Sequence, residues 1–174
     1  MKHTRTLVLG GARSGKSAHA EGLVAAGDEV TYVATGRRNP ADKAWEARIA
    51  AHVLRRPSSW RTVETTDLVS VFADTEGTLV VDDIATWLTC VLDDTNAWDG
   101  ELAPVRRRVD ELVDAVCCCP NRIVLVSAEV GLGVVPSTRS GRLFRDELGA
   151  LNARLAEVCH EVLLLVTGIP LRLR

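Results

Sequence analysis

The sequence predicts an α/β fold in which a mainly parallel sheet is covered by helices on both faces. Short apolar segments alternate with amphipathic segments along the whole chain, which is the pattern of strands alternating with helices. The apolar segments are continuous, as expected for strands that are buried on both faces. The chain of 174 residues can bury one core, so we predict a single domain over residues 1–174.

Five segments are predicted strands because they are short, apolar and rich in β-branched residues. In chain order these are residues 6–9, 30–34, 78–81, 123–126 and 162–166. The tail at 169–174 alternates between apolar and polar residues at a period of two, which favours a short edge strand.

Helices are predicted between the strands from apolar spacing and from capping residues. In chain order they span residues 17–26, 40–56, 84–92, 105–116 and 143–158. Gly27 is typical of the position after a helix, and Asn39 followed by Pro40 is typical of a cap and a first helical position.

Composition limits the class of protein. The chain has 21 Lys and Arg against 23 Asp and Glu, a net charge of −2, which argues against a general nucleic-acid binder. No apolar segment approaches the ~18 residues of a membrane span, and the first ten residues lack signal-peptide features, so a cytoplasmic protein is predicted. The five cysteines, three of them adjacent, are expected to be reduced and buried.

The segment after the first predicted strand has the pattern of a phosphate-binding loop. It fits G-x-x-x-x-G-K-[ST] between a strand and a helix, where glycines let backbone N–H groups point at phosphate oxygens. We expect Lys16 to reach the outer phosphates and the Ser17 hydroxyl to bind Mg²⁺. The predicted nucleotide contacts in this loop are Gly10, Gly11, Ala12, Arg13, Ser14, Gly15, Lys16 and Ser17.

Asp82 follows the third predicted strand, the position of an acidic residue that holds the Mg²⁺ shell in phosphate-loop proteins. Asp82 is therefore predicted to share a metal site with Ser17. Because residues 84–92 have a helical pattern, Asp82 or Asp83 could instead be an ordinary helix N-cap.

His52 lies on a basic face of the second predicted helix. Arg48, His52 and Arg56 are spaced by four residues and share one face, and Arg55 is adjacent. Nearby arginines should lower the pKa of His52 and could bind nucleotide phosphates, which suits attack by a neutral imidazole on phosphorus. The alternative is a solvated basic face, and the spacing alone does not decide between them.

Taken together, the motifs resemble the bifunctional adenosylcobinamide kinase/adenosylcobinamide-phosphate guanylyltransferase family of cobalamin biosynthesis. The resemblance covers nearly the whole chain. It depends on GGARSGKS, YVAT, R-I-x-x-H-x-x-x-R-P, W-R-T-x-E and E-V-G-L-G-V-V-P-x-x-R, which begin at Gly10, Tyr32, Arg48, Trp60 and Glu129.

The resemblance implies a P-loop NTPase-like (RecA-like) domain with two activities. Members phosphorylate adenosylcobinamide, then transfer GMP from GTP to the phosphate through a GMP-histidine, which gives adenosylcobinamide-GDP and pyrophosphate. Mg²⁺, GTP, and ATP or GTP as phosphate donor are implied, as is a homo-oligomer, typically a trimer. The alternative is a P-loop small-molecule kinase without guanylyl transfer.

The resemblance also implies site residues. His52 matches the family histidine and is expected to be the nucleophile, and Lys16 is the second catalytic residue. The further nucleotide contacts implied are Ala34, Thr35, Gly36, Val53, Leu54, Arg55, Arg56, Glu64 and Asp82.

The segment at 129–136 is long for a connection between a strand and a helix, so we predict that it lines the active site. Arg139, Arg142 and Arg145 follow it at a spacing of three. They form either a solvated helix face or part of the site, and the sequence leaves their role open.

Overall fold

A seven-stranded sheet runs through the chain in the computed structural model, which describes residues 4–24, 28–39 and 41–174. Within the helix at 43–55, the side chains at 45, 48, 51, 52 and 55 lie outside this description. The strands are β1 (Arg5–Gly10), β2 (Val30–Ala34), β3 (Arg61–Glu64), β4 (Thr78–Asp82), β5 (Arg122–Ala128), β6 (Glu161–Val166) and β7 (Ile169–Arg172).

Six helices connect these strands in the described part of the chain. They are α1 (Lys16–Gly22), α2 (Lys43–Arg55), α3 (Leu68–Asp74), α4 (Ile84–Asp94), α5 (Ala103–Cys118) and α6 (Arg139–Val158). Buried residues of α1, α3, α4, α5 and α6 pack against the sheet in two core clusters.

The strand order in the sheet is β3-β2-β4-β5-β1-β6-β7. Strands β1 to β6 are parallel, and β7 pairs antiparallel with β6 as the predicted edge strand. Since parallel strands end at the same edge, the loops after β1, β2 and β4 meet there, the edge where α/β folds bind ligands.

Alternate residues of the strands face opposite sides of the sheet. Leu7 and Leu9 of β1 belong to a core cluster with buried residues of α3, α4, α5 and α6. Val8 belongs to a second cluster, which contains Ala20 of α1 and Trp60. The prediction of a parallel sheet with helices on both faces is therefore confirmed.

The predicted boundaries of the first two helices differ from the structure. The first helix ends at Gly22, with Leu23 as its C-cap, four residues before the predicted end, and the predicted cap Gly27 lies outside the described residues. The second helix begins at Lys43, after a turn in which the Asn39 carbonyl accepts from the N–H of Asp42 at 2.9 Å. The residue predicted to open that helix, Pro40, also lies outside the described residues.

Strand β3 and helix α3 were not predicted from the sequence. Strand β3 lies at the sheet edge with mostly exposed residues, so its four residues carry no apolar pattern. Helix α3 has seven residues, with the Asp67 side chain accepting from the N–H of Ser70 at 3.2 Å as its N-cap.

The cysteine prediction is wrong for two of the five thiols. All five are free, and Cys90, Cys119 and Cys159 are buried, but Cys117 and Cys118 are exposed at the C-terminal end of α5. Burial raises the pKa of the Cys159 thiol to about 12. In the described part of the chain, we find no helix with both the length and the apolar character needed to cross a membrane.

Candidate active site

The loop between β1 and α1 has the backbone form of an anion-binding loop. Arg13 and Gly15 both have positive φ values, 56° and 87°, and the N–H of Ser14 donates to the carbonyl of Gly11 at 3.3 Å. Left-handed residues at alternate positions curve the chain so that successive N–H groups converge on one side. The loop leads directly into Lys16, the first residue of α1, so a helix N-terminus adds its partial positive charge.

Two hydrogen bonds from distant parts of the chain hold this loop. The N–H of Glu129, just after β5, donates to the carbonyl of Gly10 at 3.0 Å. The N–H of Gly168, in the turn between β6 and β7, donates to the carbonyl of Ser14 at 2.9 Å. The loop is therefore anchored on both sides by the strands that flank β1.

Lys16 is buried, with 7% of its surface exposed, and its Nζ lies 3.4 Å from the carbonyl oxygen of Gly11. The side chain folds back along its own loop, so the ammonium group lies beside the backbone that would surround a phosphate. This is the position from which a lysine can neutralise the charge of outer phosphates.

Ser17 and Asp82 lie in contact. The Ser17 Oγ donates to the Asp82 Oδ1 at 3.2 Å. Two oxygen ligands at right angles on Mg²⁺, with bonds of about 2.1 Å, lie about 3.0 Å apart, so this pair fits the ion. A hydroxyl and a carboxylate are also the protein ligands expected where phosphates supply the rest of the shell.

The helix N-cap is Asp83 and not Asp82. The Asp83 Oδ1 accepts from the N–H of Thr86 at 3.0 Å at the start of α4. Burial, together with the nearby Asp82 carboxylate, raises the pKa of Asp83. Asp83 therefore caps α4, and the neighbouring Asp82 side chain contacts Ser17 instead.

Tyr32 is the second partner of Asp82. Its hydroxyl donates to the Asp82 Oδ2 at 2.6 Å, and the Arg56 guanidinium stacks on its ring at 3.8 Å from the centroid. Burial, and then the Asp82 charge, raise the pKa of the phenol well above its usual range, so the hydroxyl stays a donor. Sequence reasoning gave Tyr32 no role, although a phenol in an apolar strand signals a buried hydrogen-bond partner.

A cavity of about 250 Å³ opens at the ends of β2 and β3, beside this cluster. Its lining combines three predicted nucleotide contacts with three further residues, namely Thr35, Gly36, Arg37, Glu64, Thr65 and Thr66. Thr35 connects this cavity to the Ser17–Asp82 contact, since its N–H donates to the Asp82 carbonyl at 3.3 Å. Arg38, which sequence reasoning missed, donates to both Glu64 carboxylate oxygens at 2.7–3.1 Å and lowers the pKa of Glu64.

The residues predicted as contacts at the end of α2 differ in exposure and in their partners. The side chains of His52 and Arg55 lie outside the described residues. Val53 is 48% exposed and Leu54 is 86% exposed, whereas Arg56 contacts Tyr32 and also donates to the Thr62 Oγ1 at 3.1 Å. Among the described side chains at the end of this helix, Arg56 is thus the one in contact with the cluster around Asp82.

The connection after β5 begins at the phosphate loop and then extends into solvent. Leu132, Val134 and Val135 are largely exposed. The three arginines that follow have separate partners: Arg139 pairs with Asp99, Arg142 donates to the carbonyls of Pro136 and Ser137, and Arg145 donates to Asp146. They do not act as one cluster in the described structure.

Comparisons with known proteins point to one family. The model of the family described as cobinamide kinase / cobinamide phosphate guanyltransferase matches residues 6–173. The chain is 41% identical over 177 residues to the bifunctional adenosylcobalamin biosynthesis protein CobP of Pseudomonas aeruginosa, covering 98% of this chain and 97% of the relative. It is 38% identical to CobU of Salmonella typhimurium and 36% identical to CobU of Escherichia coli, covering 97% of this chain and 98% of each relative.

Among solved structures, an ATPase from the type III secretion system of pathogenic bacteria is similar over 95% of this chain, with a TM-score of 0.60 and 12% identity. The chain spans about half, 51%, of that ATPase. At this identity the similarity concerns the fold alone, and it confirms the predicted P-loop NTPase-like fold.

Proposed function

Because the chain belongs to the cobinamide kinase / cobinamide phosphate guanyltransferase family, we propose that it phosphorylates adenosylcobinamide and then transfers GMP from GTP to the new phosphate. The observation that carries the proposal is the contact of Ser17 with Asp82 at 3.2 Å beside a phosphate loop, in a chain that matches the family from residue 6 to residue 173.

We assign the kinase step to the phosphate loop. The acceptor hydroxyl attacks the γ-phosphorus of the donor and gives up its proton to solvent, a new O–P bond forms, and the bond to the β-phosphate oxygen breaks to release the nucleoside diphosphate. Lys16 would bind the outer phosphates, and Ser17 with Asp82 would hold Mg²⁺. The ion supplies positive charge that offsets the phosphate oxygens.

We assign the second step to His52. A neutral imidazole nitrogen attacks the α-phosphorus of GTP, a P–N bond forms, and pyrophosphate leaves. A phosphate oxygen of adenosylcobinamide phosphate then attacks the same phosphorus, the P–N bond breaks, and the imidazole is regenerated as adenosylcobinamide-GDP forms. Arg56, stacked on Tyr32 at the end of α2, supports this assignment because it keeps a cation near the last turn of the helix that carries His52.

The nucleotide would extend from the phosphate loop towards the 250 Å³ cavity, with Thr35, Gly36 and Glu64 as contacts. We further propose ATP or GTP as phosphate donor, a homotrimeric assembly and a cytoplasmic location. Light scattering of the purified protein tests the trimer, and cell fractionation tests the location.

The decisive experiment is incubation of the protein with GTP and Mg²⁺, followed by intact mass measurement. We expect a GMP adduct that is labile in acid and stable in alkali, as a phosphoramidate is. The adduct should be absent in His52→Ala, which should still phosphorylate adenosylcobinamide.

His160→Ala is the matched control. His160 accepts from the N–H of Arg5 at 3.0 Å, at the opposite edge of the sheet from the phosphate loop, so its loss should leave the adduct intact. No adduct on the unaltered protein would favour a kinase without guanylyl transfer. A normal adduct on His52→Ala would refute the assignment of the nucleophile.

A further inference from the structure

One buried side chain, Tyr32, contacts both Asp82 of the proposed metal site and Arg56 at the end of the helix that carries His52. It is 3% exposed. Its hydroxyl donates to Asp82 at 2.6 Å, and Asp82 in turn accepts from Ser17 at 3.2 Å. The face of its ring carries the Arg56 guanidinium at 3.8 Å. A continuous series of contacts therefore runs from the phosphate loop to the end of α2.

The hydroxyl governs how the Asp82 carboxylate is turned. A carboxylate has two oxygens, and here Oδ2 accepts from Tyr32 while Oδ1 accepts from Ser17. With Oδ2 held by a buried donor, Oδ1 stays directed at the Ser17 hydroxyl. Groups that orient a metal ligand in this way strongly affect the affinity of the metal.

The ring governs where the end of α2 lies. Helix α2 ends at Arg55, and the next residue, Arg56, stacks on Tyr32 in the adjoining strand β2. His52 belongs to the last turn of the same helix. A planar guanidinium on an aromatic face is a directional contact, so it locates this helix end relative to the sheet.

We propose that Tyr32 is a positioning residue for both steps: its hydroxyl orients Asp82 for the metal, and its ring holds Arg56 and the end of α2 for GTP binding. This inference rests on the proposed function, because it concerns the same nucleotide site. If Tyr32 has both roles, the geometry of the Ser17–Asp82 site and the position of α2, which carries His52, both depend on this one side chain. A change at Tyr32 would then affect both proposed activities.

Two variants separate the two roles. Tyr32→Phe keeps the ring and removes the hydroxyl, and Tyr32→Leu removes both. Mn²⁺ binding is measured by electron paramagnetic resonance with GDP present, and GTP binding is measured calorimetrically in EDTA. Thr95→Val is the control, since it removes a hydroxyl that donates to the Val91 carbonyl at the C-cap of α4, and Thr95 is not among the residues assigned to the nucleotide site.

For Tyr32→Phe we expect Mn²⁺ affinity to fall about tenfold, with metal-free GTP affinity unchanged. For Tyr32→Leu we expect the same loss of Mn²⁺ affinity and, in addition, GTP affinity lower by about threefold or more. Thr95→Val should match the unaltered protein in both measurements. If thermal unfolding shows that Tyr32→Leu does not fold, Arg56→Lys removes the planar stack while keeping the charge.

Wild-type Mn²⁺ affinity in Tyr32→Phe would overturn the role of the hydroxyl. Unchanged GTP affinity in Tyr32→Leu, or in Arg56→Lys where that variant replaces it, would overturn the role of the ring. Lys16→Ala distinguishes a failure of the proposed function, because unchanged GDP binding in that variant would remove the phosphate loop itself from the site.

Discussion

Replacing Gly10 by alanine should destabilise the protein, whereas the same change at Gly11 should not. A Cβ on Gly10 would overlap the Ser14 Oγ and lie 3.0 Å from the Leu165 carbonyl oxygen. A Cβ on Gly11 would have no heavy atom within 4 Å. The two glycines are adjacent in one loop, so the pair isolates the effect of packing.

The size of the effect follows from which neighbours can move. The Ser14 hydroxyl can rotate away, but the Leu165 carbonyl belongs to β6, where Leu165 lies opposite Gly10 in the parallel register. Overpacking of this kind costs about 1–3 kcal/mol, and the rotation of Ser14 favours the lower part, about 1–2 kcal/mol. Any stabilisation from the stiffer unfolded chain is common to both variants and cancels in their difference.

Urea unfolding without nucleotide measures this difference directly. We expect Gly10→Ala to be less stable than Gly11→Ala by about 1–2 kcal/mol, with a Tm lower by roughly 2–8 °C for a chain of this size. Because the Gly10 carbonyl also accepts from the N–H of Glu129, the same variant should bind GDP more weakly. Equal stability of the two alanine variants would refute the reasoning from close packing.

Three further predictions concern single side chains. Lys16→Ala should reduce both activities by about 100-fold or more while the fold survives, because the charge that stabilises the outer phosphates is lost; near-normal turnover in both assays would contradict this. Asn152→Ala should lower the free energy of unfolding by about 1–3 kcal/mol, since the buried Ser127 hydroxyl, which donates to Asn152 at 2.7 Å, loses its partner. Adding Ser127→Ala to Asn152→Ala should lower the free energy of unfolding only a little further. If the two single losses simply add in the double variant, the two side chains are not coupled. Arg38→Gln should cause a small decrease in Tm at pH 7, because Arg38 lowers the pKa of Glu64. The stabilisation from the Arg38–Glu64 ion pair is present above the ordinary carboxyl pKa and is lost as the pH falls below about 4. A Tm difference that persists at pH 3 would argue against that ion pair as its cause.

Local patterns predicted the parts of the site that lie within one loop or at one strand end. The contact of Ser17 with Asp82 could be expected because the first residues of α1 and the end of β4 meet at the same edge of a parallel sheet. Whether Asp82 or its neighbour Asp83 caps α4 could not be decided, because capping depends on backbone angles that both residues can adopt in principle.

Contacts between side chains of different strands could not be predicted from the sequence, for a different reason. The hydrogen bond from Tyr32 to Asp82 depends on the register of β2 against β4, in which Ala34 lies opposite Asp82. No local pattern states that register. Strand β3 was missed since its exposed residues carry no apolar alternation, and it forms because β2 offers an unpaired edge.

The position of β1 between β5 and β6 has a consequence for how the protein is made. More than 100 residues separate this strand from β5, and β6 is further still, so the ribosome delivers the phosphate motif long before either neighbour that anchors it. Such distant pairing is slow to form, and until it does the apolar strand is open to association with other chains. A nascent chain that stops before β6 would hold the phosphate-loop motif against β5 alone, so the loop would lack the second of its two anchors, the hydrogen bond from Gly168 to Ser14, until the C-terminal strands are made.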